Sequence, residues 1–251
     1  MQNKKTTIII FALILLVFGI FSIYYMKQLK KINDTKINIL TRSGKRKECF
    51  SILRESIEQQ THTNYKHIIS NDNKDNDFLK KYDNVVSVDY IEKDKVKYID
   101  THAHCPYNLY LNTLIDKTSD GWNIIIDDDA VLIDKNFLRN LAKECSKAKK
   151  DEILVYNIFI GRSKEKSPVQ FDKQLKHGII KGHIDMNSFV FHSSCTIRHD
   201  DKCAGDYNFI KNAQKNGYKL KYIKIPQGVW SNYNGWSFGQ HVTCKKPVEA
   251  N

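Results

Sequence analysis

Hydrophobic residues along the chain follow two alternating patterns, one typical of helices and one typical of strands. Within residues 47–60, Phe50, Leu53 and Ile57 recur at the spacing of an amphipathic helix. The same spacing is found in residues 106–118, 136–149 and 207–216, the last followed by Gly217. Short apolar runs that predict strands occupy residues 36–41, 66–70, 85–88, 124–126, 153–160, 189–192 and 218–225. This alternation predicts an α/β fold with a mostly parallel central sheet flanked by helices.

A separate apolar segment precedes this pattern. Residues 6–26 are almost wholly apolar, and residues 8–26 carry no charge, which is enough to cross a bilayer as a helix. Tyr24 and Tyr25 lie where an interfacial aromatic belt is expected. A cleaved signal peptide has a shorter apolar region that ends in small residues, so we expect an uncleaved, single-pass membrane anchor.

Lysines flank this segment on both sides, at Lys4, Lys5, Lys27, Lys30 and Lys31. The side of the membrane that the rest of the chain faces is therefore left open.

The overall charge is strongly basic. Lys and Arg number 40 against 28 Asp and Glu, and the formal net charge of +12 favours anionic partners. Because the lysines are spread along the chain and the aromatic residues follow no RNA-binding pattern, no nucleic-acid partner is expected. The 6 cysteines are scattered without a CxxC pair, which argues against zinc clusters and allows only a few isolated disulfides.

The strongest candidate for chemistry is the acidic turn, defined here as Asp127, Asp128 and Asp129. It directly follows the apolar run of residues 124–126, so it falls at the carboxyl end of a predicted buried strand, where open α/β sheets bind ligands. Three adjacent carboxylates repel one another unless a cation joins them. The alternative is a solvated turn that starts the helix near Asn136.

Two further aspartates occupy comparable places. Asp72 follows the second predicted strand, and Asp206 precedes the predicted helix of residues 207–216. N-capping alone would account for Asp206, because a helix N-terminus favours a carboxylate. His102 and His104 form a possible metal pair, a role that we consider less favoured than a structural one.

Four stretches in this order resemble the inverting glycosyltransferases of family 2, which have the GT-A fold. They are INILTRSGKRKECF, SIEQQTHTNYKHIISND, WNIIIDDDAVL and GDYNFIKNAQKNGYKLKYI. The resemblance covers residues 36 to about 225. It implies an anchor and stem in residues 1–32, a GT-A catalytic domain in residues 33–228 and an aromatic tail in residues 229–251. The nucleotide-binding half would span about 36–160 and the acceptor half about 161–228.

The resemblance also implies a function, which is metal-dependent transfer of one sugar from a nucleotide-sugar, here a UDP-sugar, to a glycan, protein or lipid acceptor. Nucleotide binding would fall to Thr41, Arg42, Asp72, Asp127 and Asp128. Asp129, with Asp127, would bind Mn²⁺ or Mg²⁺, which neutralises the leaving diphosphate. Asp206 would act as the general base on the acceptor hydroxyl. The candidates on the acceptor and sugar side are His183, Asp185, Asn187, Trp236 and His241.

Some features depart from the family. Gly205 stands before Asp206 where many members have Glu, and the C-terminal QxxRW-type segment of the processive synthases is absent. One anchor helix could not form a polymer channel, so transfer of a single sugar is expected. Trp230 and Trp236, with the neighbouring Tyr233 and Phe238, would form either a sugar platform or the end of the core.

Two other classes of protein are compatible with parts of the pattern. A membrane-anchored binding protein could keep the scaffold and bind a saccharide or metal without turnover. A receiver-like phosphotransfer domain also places aspartates at strand ends, but it needs a shorter chain and a later strand-end lysine.

Overall fold

The computed structural model describes residues 2–44, 46–72, 77–87, 108–161, 165–166, 178–182, 184–202, 204–226, 228–231 and 244. Seven strands form one sheet: β1 Ile37–Ser43, β2 Tyr65–Asn71, β3 Val85–Ser87, β4 Trp122–Ile125, β6 Glu152–Val155, β9 Phe189–His192 and β10 Lys219–Tyr222. Their order across the sheet is β10-β6-β9-β4-β1-β2-β3. β9 runs antiparallel to both of its neighbours, and the other pairs are parallel. The predicted mixed α/β fold with a mostly parallel sheet is confirmed.

Helices cover both faces of this sheet. They are α1 Gln2–Asp34, α2 Lys47–Glu58, α3 Leu109–Asp116, α4 Phe137–Cys145 and α5 Gly205–Lys215. Leu53 and Ile57 of α2 pack with α4 in one core, whereas Leu111 of α3 and Phe209 of α5 lie in a second core across the sheet. The helices predicted from apolar spacing are all found, and each is shorter than predicted or shifted at its ends.

One predicted strand is wrong in its extent. The apolar run of residues 153–160 is divided between β6 of the central sheet and β7, Phe159–Ile160. The chain leaves the central sheet at Tyr156, whose hydroxyl donates to the Asn187 carbonyl at 2.7 Å. β7 belongs to a second sheet, together with β5 Val131–Leu132, β8 Glu165–Lys166 and β11 Val229–Ser231. The order across this four-stranded sheet is β5-β11-β7-β8.

The strand directions bring the candidate residues together. β1, β2 and β4 are parallel, so the segments that follow them lie at one edge of the sheet, which we call the carboxyl edge. Because β9 is antiparallel, the residues that precede it reach the same edge. The carboxyl edge therefore collects the end of β1, Asp72, the acidic turn and the turn before β9.

The N-terminal helix carries an exposed apolar surface. An apolar 18-residue window within Leu13–Asp34 of α1 has a mean hydropathy of 1.4 and is not buried against the protein, whereas Ile32, near the end of the helix, packs against the first core. The helix is long and apolar enough to cross a membrane. A signal sequence near the N-terminus has the same length and composition.

A disulfide joins the start of α2 to the C-terminal region. Cys49 and Cys244 lie 195 positions apart in sequence, with their Cα atoms 4.9 Å apart. Both side chains pack with Val131 and Trp230 in a small apolar cluster. The bridge therefore closes a very long loop, which restricts the unfolded chain more than a short loop would.

We expect the double variant Cys49→Ala/Cys244→Ala to lose about 2 to 5 kcal/mol of unfolding free energy, because the bridge no longer restricts the unfolded chain. Urea unfolding of the full chain in detergent, with and without a reductant, measures this. The reductant should lower the stability of the wild type and leave the double variant unchanged. Equal stability of the wild type in both conditions would show that the bridge contributes nothing.

Candidate functional site

The acidic turn is built directly onto the end of β4. The Ile126 amide still donates to the Leu40 carbonyl at 3.0 Å, and the Ala130 amide closes the turn on the Asp127 carbonyl at 3.0 Å. Asp128 is fully buried and Asp129 is 7% exposed. The alternative of a solvated acidic turn is therefore wrong, since these carboxylates are held inside the protein.

Two arginines from the end of β1 and the loop after it neutralise the turn. The Arg42 guanidinium donates to Asp127 Oδ1 through Nε at 3.2 Å and Nη2 at 2.7 Å. Arg46 pairs with Asp128 and also with Asp129, at 2.6 Å from Nη1 to Oδ2. Two guanidinium groups thus hold three carboxylates in a partly buried place, where such pairs require close geometry.

Burial and the arginines shift the pKa values in different directions. Burial, with the charges of neighbouring aspartates, raises the pKa of Asp128 to about 7 against the opposing effect of Arg46. Burial also acts to raise the pKa of Asp127, but the Arg42 charge and hydrogen bond outweigh it, so that this pKa is lowered. Although burial disfavours the charged form of Arg46, its three aspartate neighbours raise its pKa above the ordinary value. The guanidinium is therefore always charged.

Asn187 supports the turn from the short 3₁₀ helix that precedes β9. Its Oδ1 accepts from the Asp127 amide at 2.8 Å, and its Nδ2 donates to Asp185 Oδ1 at 2.7 Å and to Ser231 Oγ at 3.1 Å. Asp185 in turn caps the short 3₁₀ helix Met186–Ser188 by accepting from the Asn187 amide. Asp185 and Asn187, predicted on the acceptor side, thus reach the carboxyl edge, where Asn187 holds the backbone of the acidic turn.

Asp72 lies beside the loop after β1. Its amide donates to the Ser43 carbonyl at 3.2 Å. Its buried Oδ1 has no hydrogen-bond partner within the described part of the chain. Burial raises the pKa of Asp72 to about 6, against the charge of Arg42. A buried, unsatisfied acceptor is costly, and a ligand donor such as a base N–H would remove that cost.

Asp206 reaches the same edge from the start of α5. Asp206 lies in the first turn of α5, whose N-cap is Ala204, so a carboxylate is favoured at this helix end whatever its other role. Its Oδ1 accepts from the Tyr207 amide at 2.7 Å. Burial raises the pKa of Asp206 to about 6, and its interactions with Asp127 and Arg42 place it in the same electrostatic environment as the acidic turn.

Asn108 explains why glycine precedes Asp206. A Cβ added at Gly205 would lie 2.6 Å from Asn108 Nδ2, so any side chain here, including the glutamate found in many family 2 enzymes, would displace the Asn108 amide. Asn108 donates to the Lys202 carbonyl at 2.9 Å and accepts from Arg42 Nη1 at 3.4 Å. It therefore connects the start of α5 to the arginine that holds Asp127.

The predicted residues differ in how they reach the site. The Thr41 hydroxyl is fully buried and donates to the Ile126 carbonyl at 2.7 Å, so its side chain joins β1 to β4. Trp230 is 6% exposed and packs in the cluster around the disulfide, so it closes the core and offers no open platform. His183, Trp236 and His241 lie outside the described residues, as do His102 and His104.

Three contributors to the site were missed in the sequence. Arg46 and Asn108 contact the acidic turn or its arginine, and His199 is buried against Phe209 with ring centroids 4.6 Å apart. Burial lowers the pKa of His199 to about 3, so it is neutral at physiological pH. The basic loop RSGKR was a usable signal for Arg46, because a loop that follows one parallel strand reaches the same sheet edge as the aspartates that follow another. Nothing local marks Asn108 or His199.

Within the described residues, no group of three or more His, Cys, Asp or Glu side chains forms a preassembled metal site. The donor set nevertheless suits a hard divalent cation, because it consists of carboxylate oxygens and includes the unsatisfied Oδ1 of Asp72. Asp129, 7% exposed, retains some access to solvent.

Comparison with solved structures identifies the fold. The crystal structure of S. aureus TarS 1-349 has a TM-score of 0.57 and 13% identity, covering 78% of this chain and 60% of that one. The complex of the same protein with UDP-GlcNAc has a TM-score of 0.58 and 12% identity, covering 78% and 58%. This chain thus spans about three-fifths of their length. No protein-family model and no curated protein sequence matches the chain. The chain has a GT-A-like glycosyltransferase fold.

We expect Asn187→Ala to lower the unfolding free energy by about 1 to 3 kcal/mol, because the buried Asp127 amide and the Asp185 carboxylate each lose a partner. Urea unfolding of the full chain in detergent measures the change. Asn216→Ala, at the C-cap of α5, is the matched control and should cost less, because Asn216 is exposed. Similar costs for the two variants would show that Asn187 does not support the turn.

Proposed function

We propose that this chain is a glycosyltransferase that moves one sugar from a nucleotide-sugar, a UDP-sugar in the first instance, to an acceptor hydroxyl with inversion. The observation that carries the proposal is the convergence of Asp72, the acidic turn and Asp206 at one sheet edge of a GT-A-like fold. TarS, which shares this fold, has been crystallised with UDP and with UDP-GlcNAc.

The donor nucleotide would lie along the ends of β1, β2 and β4. Asp72 would accept a hydrogen bond from the base through its unsatisfied Oδ1. Asp128 would lie near the ribose. Since the Thr41 hydroxyl is bonded within the sheet, its predicted contact with the nucleotide would be made by the backbone. Arg42 would keep Asp127 in place beside the nucleotide.

A divalent cation, Mn²⁺ or Mg²⁺, would be held by Asp129 with Asp127 nearby. When bound, it would neutralise charge on the leaving nucleoside diphosphate. Arg42 lowers the pKa of Asp127 and so favours its ionised form, which a metal ligand needs, and Asp129 is paired with the charged Arg46.

Asp206 would act as the general base. Its carboxylate would accept the proton of the acceptor hydroxyl as that oxygen bonds to the anomeric carbon, and the bond from this carbon to the diphosphate oxygen would break. Attack from the face opposite the leaving group inverts the anomeric centre. A base whose pKa is raised to about 6 is largely ionised at neutral pH and remains a better proton acceptor than an ordinary aspartate.

The acceptor would approach beside Asp206 and the turn before β9. Asp185 lies there, while His183, Trp236 and His241 are proposed acceptor or sugar contacts from their sequence positions alone. A glycan, protein or lipid acceptor is compatible with an enzyme anchored through α1. The Cys49–Cys244 bridge favours a catalytic domain on the oxidising side of the membrane, because disulfides persist there.

Calorimetric titration with UDP, in the presence and absence of Mn²⁺, tests the donor site on the full chain in detergent. We expect Mn²⁺-dependent binding that Asp129→Ala abolishes, because the variant removes the cation's protein ligand. Asp151→Ala, an exposed aspartate distant in sequence from the turn, is the matched control and should bind as the wild type does. If neither UDP nor GDP bound the folded wild type, a saccharide- or metal-binding scaffold without turnover would be the better hypothesis.

Asp206→Asn should leave UDP binding within about twofold of the wild type and lower the transfer rate by about 10² to 10⁴, because only the proton acceptor is lost. The wild-type rate should fall as pH drops through about 6, since protonated Asp206 cannot accept a proton. Rates measured between pH 5 and 8 with a responsive UDP-sugar check both points. Full transfer by the variant would exclude Asp206 as the base.

A further inference from the structure

Arg46 occupies the place in the acidic turn where a bound cation would be expected. It pairs with both Asp128 and Asp129, the two carboxylates that the proposed function assigns to the ribose and the metal. Its side chain is 19% exposed, so it borders solvent and is not sealed in the core. A metal ion and the Arg46 guanidinium would compete for the same oxygens.

Arg42 is held in a different way. Its guanidinium makes two hydrogen bonds to a single carboxylate, Asp127, and a third to Asn108. Arg46 instead bridges two carboxylates, Asp128 and Asp129, and the proposed function assigns both of them to a ligand.

The charge balance makes an exchange favourable when donor and metal arrive together. A divalent cation at Asp129 would repel the guanidinium beside it, whereas the diphosphate brings new negative charge to the same edge. An arginine fork binds phosphate oxygens in a bidentate manner about as well as it binds carboxylates. Moving from the carboxylates to the diphosphate therefore keeps Arg46 paired throughout.

We propose that Arg46 is an exchangeable cation of the donor site: it neutralises Asp128 and Asp129 in the free protein and binds the diphosphate once a divalent cation takes its place. This inference rests on the proposed function and assigns Arg46 a role in diphosphate binding. In the free protein the same residue prevents repulsion within the acidic turn and lowers the affinity of the turn for metal alone.

Arg46→Gln tests both roles, because it removes the one charge that competes with metal in the free protein and that binds diphosphate in the complex. The two roles predict opposite changes in affinity. Calorimetry on the full chain in detergent should show Mn²⁺ alone binding about tenfold more tightly, and UDP in saturating Mn²⁺ binding about tenfold more weakly, which is the loss of one charged hydrogen-bond pair. The opposite signs of the two changes are the signature of exchange. Arg139→Gln, on the exposed face of α4, is the matched control and should change neither affinity.

Arg46→Lys provides a second variant if the glutamine variant folds poorly. It keeps a cation without the planar fork, so its Mn²⁺ affinity should stay near the wild-type value while UDP binding is weakened. Unchanged UDP affinity in both variants, or loss of Mn²⁺ and UDP binding together, would overturn the exchange. Failure of the wild type to bind either UDP or GDP would instead remove the proposed function, so the two failures are distinguishable.

Discussion

The carboxyl edge depends on the pairing of two guanidinium groups with three adjacent carboxylates. Asp128 is fully buried, and burial raises its pKa to about 7, so its ionised form depends on a paired cation. Arg42 and Arg46 make the acidic turn tolerable, and both come from the end of β1 and the loop after it. Because β1 lies beside β4 in the sheet, the parallel pairing of these two strands is what brings the opposite charges together.

The antiparallel strand β9 has a comparable structural consequence. In a purely parallel sheet, the residues before β9 would lie at the far edge. Reversal of this strand instead brings Asp185 and Asn187 to the acidic turn, where Asn187 accepts from the Asp127 amide. The turn is thus fixed from the β1 side by charge and from the β9 side by a neutral hydrogen bond. Such fixing from two sides is what a binding site requires if its carboxylates are not to move when a ligand arrives.

Much of the fold was predictable because apolar periodicity, and with it the order of helices and strands along the chain, can be read from short stretches of sequence. The acidic turn and its place after a buried strand followed from residues 124–129 alone. Two features were not predictable for physical reasons. The division of residues 153–160 depends on a hydrogen bond from Tyr156 to Asn187, 31 positions away, and Asn108 reaches Arg42 across 66 positions. Contacts of this range leave no pattern within a sequence window.

The first turn of α2 is also linked to distant parts of the chain. Cys49 in this turn is covalently linked to Cys244, and Arg46 immediately precedes the helix and pairs with the acidic turn. The backbone here is therefore held by a disulfide and by helical hydrogen bonds that begin with the Phe50 amide and the Arg46 carbonyl, at 2.9 Å. A fixed backbone carrying a long, charged side chain can change partners at the carboxyl edge without rearrangement of the sheet, so the exchange inferred for Arg46 requires only side-chain rotation.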